Sequence, residues 1–302
     1  MEKDGLIVTL EQLRIFVCVA EREHMTDAAR TLHVTQSAVS AAIAALEARH
    51  GVRLFHRVGR GIVLTEAGSL FLAEARIILA RVAAAEAMLD DLSGLKRGTL
   101  RVVASQTIAA YWLPPALAAF RARFPHLEIV LEIGNTMQVA AHVQAGQSDF
   151  GIVEGKVDNP VLAQWPIAQD RLVLVRSTPF DAQSCTPEAL QKADWVMREQ
   201  GSGTRSTLDE CLRQSGVNPE KLTEVLVLPS NESVRTAVEA GAGIAGLSSL
   251  VVAPALAAGT LYAAPLAFGP REFFGLRHKE RYRSQAVEAL TDFIAQYSAQ
   301  QG

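Results

Sequence analysis

The sequence has few cysteines, no signal-peptide pattern and no long apolar run free of interruption. Its three cysteines, Cys18, Cys185 and Cys211, are odd in number and widely spaced, which fits a reducing compartment better than a disulfide framework. The N-terminal MEKDGLIVTL carries acidic residues where a signal peptide has cationic ones, so we expect a cytoplasmic protein. A redox sensor at Cys185 or Cys211 stays open, although no basic residue directly flanks Cys185.

Residues 240–270 contain no Asp, Glu, Lys or Arg, as a membrane span would. Prolines and glycines, however, divide this stretch into pieces shorter than the roughly 20 apolar residues that a spanning helix needs. They are Pro254, Pro265, Pro270, Gly241, Gly243, Gly246, Gly259 and Gly269. We therefore expect a buried strand–helix–strand segment here and no membrane partner.

The length and composition are those of a globular protein with two or three domains. The chain has 302 residues, of which 49% are apolar and 20% are charged, and its net charge is −3. This balance excludes a disordered tail and a uniformly basic nucleic-acid coat. Any surface for nucleic acid must therefore be local.

Three short helices are predicted near the N-terminus, and the third begins after Thr35, which is placed to cap it. Val39, Ile43 and Leu46 form an apolar stripe that would pack on the first two helices. The opposite face carries small side chains and polar groups suited to base edges or phosphates. This face holds Ser37, Ser40, Ala41 and Ala44, and the donors and acceptors are on Gln36, Ser37 and Ser40.

Positive charge gathers directly behind this third helix. Residues 49–65 contain four arginines, two histidines and no acidic residue. The stretch VRLFHRVGRGIVLT predicts a hairpin turning near Gly59–Gly61, which would hold Arg57 and Arg60 where phosphates or a minor groove would lie. The pattern predicts a winged helix-turn-helix. The alternative is a small helical domain whose charged hairpin is merely solvated.

The elements AAR, TQSAVS, LE, G-x-x-LF-x-R and LTEAG occur in this order within residues 10–68. This pattern closely resembles the N-terminal domain of LysR-type transcriptional regulators. The resemblance implies sequence-specific binding of double-stranded DNA, RNA polymerase as a further partner, and no enzymatic activity. It also implies the DNA-binding positions, which are Gln36, Ser37 and Ser40 on the DNA-facing helix and Arg30, Arg53, Arg57 and Arg60 near the backbone or wing.

A long helix is predicted from Glu66 to about Leu92. Its apolar positions repeat with spacings of three and four, which indicates a heptad-like seam. They are Leu70, Ala73, Ile77, Ala80, Ala84 and Ala87. In the resembling family this helix pairs antiparallel with its counterpart, which implies a homodimer or homotetramer; the alternative is a single helix lying on its own domain. Residues 93–98, SGLKRG, predict a polar hinge.

Strands and helices alternate beyond Gly98, which predicts parallel sheets with crossover helices. Two such α/β units resemble the periplasmic-binding-protein-like effector domain of the same regulators. The predicted fold class is therefore α/β, with an N-terminal winged helix-turn-helix, a long linker helix and a C-terminal effector domain of two subdomains. The predicted domains are 1–65 for DNA binding, 66–92 for the linker and dimerisation, and 93–302 for the effector, with subdomain I at about 98–169 and 271–302 and subdomain II at about 170–270.

Ligands of open α/β sheets bind where strands end and helices begin. Turns of this kind offer backbone N–H groups, hydroxyls and the positive end of a helix dipole, which suit a small oxyanion without a bidentate arginine. The candidate effector-binding residues are Ser105, Gln106, Thr107, Asn135, Thr136, Gly201, Ser202, Gly203, Thr204 and Asn231. The alternative is that these residues only cap their helices.

Other chemistries find little support, and we expect no cofactor and no metal. GSGTRS lacks the P-loop lysine, and neither G-x-G-x-x-G after a first strand nor G-x-S-x-G occurs. The seven histidines show no metal-ligand spacing with cysteines or carboxylates. The alternative of another class is an enzyme or a solute-binding protein carrying a DNA-binding head.

Within the family, MREQGSGTR, ASQTIAAYWLP and GNTMQVAAHVQAGQSDFGIVEG look most like the branch that regulates sulfur assimilation and sulfite response, adjoining the branch that controls carbon fixation. This resemblance implies sulfite or sulfate as the effector, with a small carboxylate or a phosphorylated metabolite as the alternative. Ile108 stands where related sulfur regulators often have a polar side chain, which weakens the case for sulfate. The operator, the direction of regulation and the choice between dimer and tetramer stay open.

Overall fold

The computed structural model describes residues 8–59, 61–92, 98–181, 183–266 and 268–301. The chain divides into two compact units, one of residues 1–89 with 145–147 and the other of residues 90–144 with 148–302. Each unit has hydrophobic cores of its own.

Three helices and a hairpin begin the first unit. They are α1 (Leu10–Arg22), α2 (Met25–Thr31), α3 (Gln36–His50), β1 (Phe55–Val58) and β2 (Gly61–Leu64). Thr35 caps α3 by accepting a hydrogen bond from the Ala38 N–H at 3.2 Å. The strands β1 and β2 pair antiparallel. The predicted helices, the predicted cap and the predicted hairpin are therefore confirmed.

Phe16 of α1 is at the centre of this unit's core and is fully buried. Its ring contacts those of Phe55 and Phe71, with centroids 5.4 and 4.8 Å apart. The predicted stripe on α3 is buried against the same core. These contacts join the hairpin and the following helix to the three-helix core, because apolar area removed from water stabilises each of them.

The helix α4 (Glu66–Leu92) is continuous over 27 residues, as predicted. Ala75 packs into the core of the first unit, whereas the described side chains of the apolar seam are not part of that core. On that seam Leu70 is 69% exposed and Ile77 is 38% exposed. The side chain of Ala87 and the hinge residues 93–97 lie outside the described residues.

The described residues of the second unit form nine strands. They are β3 (Gly98–Ser105), β4 (Leu127–Gly134), β5 (Phe150–Glu154), β6 (Leu162–Arg176), β7 (Asp194–Arg198), β8 (Thr223–Leu228), β9 (Ala245–Ser248), β10 (Tyr262–Ala263) and β11 (Pro270–His278). Seven of them form one sheet in the order β10-β6-β11-β5-β3-β4, with β9 also pairing β6. The strands β7 and β8 form a parallel pair, which a bridge between Trp195 and Ile244 connects to the residue before β9.

Helices cover both faces of these strands. They are a π-helical turn (Ile108–Trp112) that continues into α5 (Leu113–Arg123), then α6 (Thr136–Ala145), α7 (Pro187–Lys192), α8 (Gly203–Gln214), α9 (Asn231–Glu239), α10 (Ser249–Ala258) and α11 (Gln285–Gln301). Short 3₁₀ turns lie at Gln183–Cys185 and Pro219–Lys221. Separate cores form around Phe150 and Leu290 in one half and around Trp195 and Leu212 in the other.

The sheet is mixed, so the prediction of parallel pairing holds for part of it only. β3 pairs parallel with β4 and β5, but β6, β9, β10 and β11 pair antiparallel. The cause is that β6 and β11 run between the two halves, and β6 is 15 residues long. The sequence pattern placed the start of β6 near Arg171 and did not place β11.

The uncharged stretch of residues 240–270 contains β9, α10 and β10, which confirms the predicted strand–helix–strand segment. Val251 and Val252 of α10 are fully buried. The helix contains Pro254 and ends at Gly259, which has a φ of +72°. Among the described residues, no helix combines the length and apolarity needed to span a membrane.

Candidate functional site

The exposed face of α3 carries small and polar side chains. Gln36 and Ser37 are exposed and Ser40 is half-buried, whereas Val39 is fully buried. The hydroxyls of Thr35 and Ser37 lie 3.0 Å apart and share a hydrogen bond. Because no large side chain projects from this face, the helix backbone could come close to a grooved partner.

Three of the four predicted arginines can be placed beside this helix. Arg57 lies exposed on β1 and makes no ion pair within the described parts of the chain. Arg53 lies 3.2 Å from Glu47, and Arg30 lies 3.1 Å from Asp27. Both of these guanidinium groups stay well exposed, so such surface pairs hold them only weakly. Arg60 lies outside the described residues.

Glu47 positions the start of the hairpin. Its Oε1 accepts hydrogen bonds from the backbone N–H groups of Leu54 at 2.7 Å and Phe55 at 3.2 Å. The sequence interpretation gave this residue no role, although it is the last acid before the run of arginines. Glu47 therefore ties the start of β1 to α3, and this fixes the position of Arg57 on that strand.

The candidate effector residues lie at the ends of β3, β4, β7 and β8 and in the first turns of the helices that follow. Seven of the ten lie together in two groups, the first joined by hydrogen bonds between its members and the second by close packing and by hydrogen bonds through Glu199, Glu154 and Met137. The first group is Gln106, Thr107 and Asn231, and the second is Asn135, Thr136, Gly201 and Gly203. Ser105, Ser202 and Thr204 lie beside them and are almost fully buried.

The first group joins the turn after β3 to the start of α9. The Nε2 of Gln106 donates to the Pro229 carbonyl at 2.7 Å, and its Oε1 accepts from the Asn231 N–H at 3.0 Å. The Nδ2 of Asn231 donates to the Thr107 hydroxyl oxygen at 3.1 Å. Since that oxygen acts as the acceptor, the Thr107 hydroxyl proton can still be donated elsewhere.

Arg198 extends this group, and sequence reasoning missed it. Its side chain is 3% exposed, and its Nη1 donates to the Oδ1 of Asn231. Two further N–H groups donate to the carboxylate of Glu199 at 2.8 and 2.9 Å. The only signal in the sequence was the arginine at the end of a predicted strand, inside MREQGSGTR.

The second group packs the first turns of α6 and α8 against each other. The Nδ2 of Asn135 donates to Glu199 at 3.2 Å, and the Met137 N–H donates to the Gly201 carbonyl at 3.2 Å. A Cβ at Gly203 would lie 2.4 Å from both the Glu154 carbonyl and the Thr136 hydroxyl oxygen. The glycine that the sequence suggested for close approach to a ligand is thus required by packing inside the chain.

Ser202 and Thr204 start α8. Ser202 caps the helix, with its Oγ accepting from the Arg205 N–H at 3.4 Å. The Thr204 hydroxyl accepts from Arg271 at 3.2 Å, and Arg271 pairs with Asp170 at 2.7 Å. The side chains of Arg271 and Asp170 are 3% and 1% exposed. The prediction of a cage of neutral donors alone therefore omitted two buried arginines, each of them held by a carboxylate.

The two groups of candidate effector residues, with Ser105, Ser202 and Thr204, are called the cleft below, and burial and neighbouring charge shift two pKa values near it. Burial acts to raise the pKa of Glu199. Hydrogen bonds from Arg198 and Asn135 and the positive charge of Arg198 nevertheless hold this pKa below its ordinary value. Burial, and then the charge of Glu210, raise the pKa of the Cys211 thiol. A raised pKa disfavours the reactive thiolate, which argues against a redox role for Cys211.

Comparisons with known proteins cover nearly the whole chain. Residues 10–69 match the bacterial regulatory helix-turn-helix protein family, lysR type, and residues 93–299 match the LysR substrate binding domain. The chain is 34% identical to the uncharacterized regulator YeiE of Escherichia coli K12 over 95% of this chain and 97% of YeiE. It is 32% identical to a probable RuBisCO transcriptional regulator of Cyanophora paradoxa over 97% and 93% of the two chains.

A similar fold occurs in full-length CbnR complexed with its target DNA. The TM-score is 0.67, the identity is 22%, and the match covers 96% of this chain and 99% of CbnR. At this identity the likeness concerns the fold. The architecture of a helix-turn-helix unit followed by a mixed α/β unit is therefore shared.

Proposed function

Because this chain belongs to the LysR family of DNA-binding transcriptional regulators, we propose that a small oxyanion bound in its cleft controls transcription from a dyad-symmetric operator. The binding of DNA is the property of the family. The identity of the effector, the contacts to DNA and the domain boundaries 1–65, 66–92 and 93–302 belong to the proposal.

The proposed contacts to DNA are the exposed face of α3 and the hairpin. Gln36, Ser37 and Ser40 would contact base edges, because their side chains are short and can both donate and accept. Arg30, Arg53, Arg57 and Arg60 would contact phosphates. CbnR, whose fold is similar, was solved with its target DNA, which supports this use of the unit.

Four helix starts with hydroxyl and amide side chains carry the effector proposal. The turns before α5, α6, α8 and α9 meet in one hydrogen-bonded network that includes Thr107, Asn135, Ser202 and Asn231. Helix N-termini and fixed N–H groups attract negative charge. A small oxyanion is the ligand that such donors suit.

Among oxyanions we favour sulfite, followed by sulfate. The support is the likeness of MREQGSGTR and ASQTIAAYWLP to the sulfur-responsive branch. The names of the relatives compared above do not mention sulfur, and one of them names RuBisCO, which favours a second candidate. This second candidate is a regulator of carbon-fixation genes that senses a phosphorylated metabolite or a small carboxylate.

Self-association is part of the proposed function. The exposed seam of α4, with Leu70 and Ile77, would pack against a second copy of the helix, giving a homodimer or homotetramer. Two DNA-binding units held in this way would protect two half-sites related by a dyad and about one helical turn or more apart.

The test is footprinting on the DNA upstream of the gene, combined with calorimetric titration. Sulfite, sulfate, inorganic phosphate and small carboxylates are titrated into the full chain, and the footprint is repeated with each. We expect one of these anions to bind and to change the footprint. Failure of all of them to bind would remove the oxyanion proposal and leave DNA binding intact.

A further inference from the structure

We propose that a cavity between β11 and α11 is a second ligand site, and that it binds a small α-amino acid with an apolar side chain. The cavity has a volume of about 450 Å³. None of the described residues that line it belongs to the cleft. This site therefore goes beyond the proposed function and does not depend on it.

One wall of the cavity is a face of the sheet. Trp165 of β6 lies directly opposite Gly275 of β11, and Arg277 follows two residues later on the same face. A Cβ at Gly275 would lie 2.9 Å from the Trp165 ring, so the glycine allows this ring to lie across β11. The Phe150 ring supports it, with centroids 5.9 Å apart. The sheet wall therefore presents an aromatic ring and a guanidinium group.

The other wall is the first half of α11. The residues of this helix that line the cavity are Val287, Glu288, Thr291 and Asp292. Their spacings of one and four residues place them on one side of the helix. Val287 is buried, whereas Glu288 and Asp292 are exposed and give this wall negative charge. The Thr291 hydroxyl donates to the Val287 carbonyl at 2.8 Å, which leaves the hydroxyl oxygen free to accept.

Arg277 is a half-buried cation without a counter-charge. Its side chain makes no hydrogen bond and no ion pair within the described ranges of the chain. Burial, and then the positive charge of Arg283, lower the pKa of its guanidinium group. Arg283 lies 3.8 Å from Glu288, but both of these side chains are more than half exposed, so their pair is weak. A carboxylate in the cavity would supply the charge that Arg277 lacks.

Asp292 is the corresponding anion on the helix wall. It lines the same cavity as Arg277, yet among the residues that the structure describes it pairs neither with Arg277 nor with another cation. A ligand that carries both an ammonium group and a carboxylate can satisfy both side chains, because the ammonium group donates to Asp292 and the carboxylate accepts from Arg277. A ligand with only one of these charges leaves the other side chain unpaired.

Trp165 and Val287 determine what the rest of the ligand should be. They add an indole ring and an aliphatic side chain to a cavity whose other lining groups are polar or charged. Its volume is near the lower end of the range of about 300–1,000 Å³ that is usual for ligand pockets, which favours a small molecule. Leucine combines the two charges with an apolar side chain of suitable size.

The experiment titrates L-leucine, 4-methylpentanoate and 3-methylbutylamine into the full chain by calorimetry. The second compound is leucine without its amino group, and the third is leucine without its carboxylate. We expect L-leucine to bind at least about tenfold more tightly than either, because each analogue loses one set of charge-assisted hydrogen bonds. No binding of L-leucine, or equally tight binding of either analogue, would overturn the proposal.

Two variants test whether the amino acid binds in this cavity. Arg277→Gln and Asp292→Asn should each weaken the binding of L-leucine at least about tenfold. Arg213→Gln changes an exposed arginine of α8 and should leave the affinity unchanged. Asp292 is exposed, so Asp292→Asn decides the test if Arg277→Gln does not fold. Undiminished binding of L-leucine to either folded variant would place the amino acid elsewhere and overturn the site.

Discussion

The amide of Asn231 donates to the hydroxyl of Thr107 at 3.1 Å, and both residues are almost fully buried. This bond joins the first turn of α9 to the turn that follows β3, two elements with separate cores. A ligand that bonds to either turn would also act on the other. The relative position of the two halves should therefore depend on what occupies the cleft.

Removing two cleft hydroxyls should abolish stabilisation by anions. In the double variant Thr107→Ala, Ser202→Ala, the rise in Tm on adding the bound anion should disappear while basal DNA binding persists, because a ligand at 100 times its Kd adds about 2.7 kcal/mol. Thermal denaturation with and without anion measures this. Thr186→Ala, which removes the comparable cap of α7, controls for lost capping and should keep the anion-dependent rise. An undiminished rise in the double variant would remove these hydroxyls from the site.

Arg57 should contribute one phosphate contact. Arg57→Ala should weaken specific and nonspecific binding alike and reduce the slope of log K against log salt by about 0.9, as expected for one neutralised phosphate. Mobility-shift titrations at several salt concentrations give the slope. Arg213→Ala, an exposed arginine of α8, should leave it unchanged. Equal slopes for Arg57→Ala and the unsubstituted chain would exclude the contact.

A charge on the exposed seam should break the assembly. Ile77→Glu places a carboxylate in the proposed helix pair, so sedimentation should show smaller species at micromolar concentration and DNA protection should shrink to one half-site. Glu74→Gln, on the same helix and also exposed, is the control. A monomeric unsubstituted chain would contradict the proposed pairing.

Losing one partner of the ion pair between Arg271 and Asp170 should lower the stability of the second unit more than losing both. Asp170→Leu leaves Arg271 buried without a counter-charge and should cost about 3 to 5 kcal/mol of unfolding free energy. Adding Arg271→Met should restore most of that loss. Urea unfolding followed by tryptophan fluorescence reports on this unit, because Trp112, Trp165 and Trp195 all lie in it. A double variant less stable than Asp170→Leu would contradict this expectation.

Glu199 should make the chain sensitive to acid. Its folded-state pKa is held below 4.5, so its stabilising effect is present at neutral pH and is lost as the pH falls below 4.5 through the folded value. Glu199→Gln should therefore lower stability at neutral pH and flatten its decline in acid. Denaturant midpoints measured from pH 3 to pH 7 test this. The effect should be modest because the side chain is partly exposed, and Glu188→Gln should not reproduce it.

The local order of elements could be predicted from the sequence, but the long-range pairing could not. The signals for α3 are local: they are the cap at Thr35 and the apolar stripe of Val39, Ile43 and Leu46, all of which belong to the same helix. The placing of β11 between β5 and β6 depends on partners far apart in the chain. The sequence pattern of residues 270–278 does not predict which strands they will pair with.

Some residues of the cleft could likewise be predicted from the sequence, and others could not. Turn residues such as Ser202 and Asn231 could be found because strand ends and helix starts mark them. Arg198, Arg271 and Glu154 were missed because they lie within or at the end of strands, where a charged residue normally faces solvent. Arg271 lies on β11 and Glu154 on β5 beside it, and the alternation of elements did not predict that pairing.

The position of β11 also determines when the second unit can fold on the ribosome. This strand fills the space between β5 and β6, yet it is synthesised after β3 to β10. Until residue 278 has left the exit tunnel, β5 and β6 each present an unpaired edge, and such edges promote association between nascent chains. Messages that stall or end before β11 should therefore yield aggregates rather than a smaller folded protein.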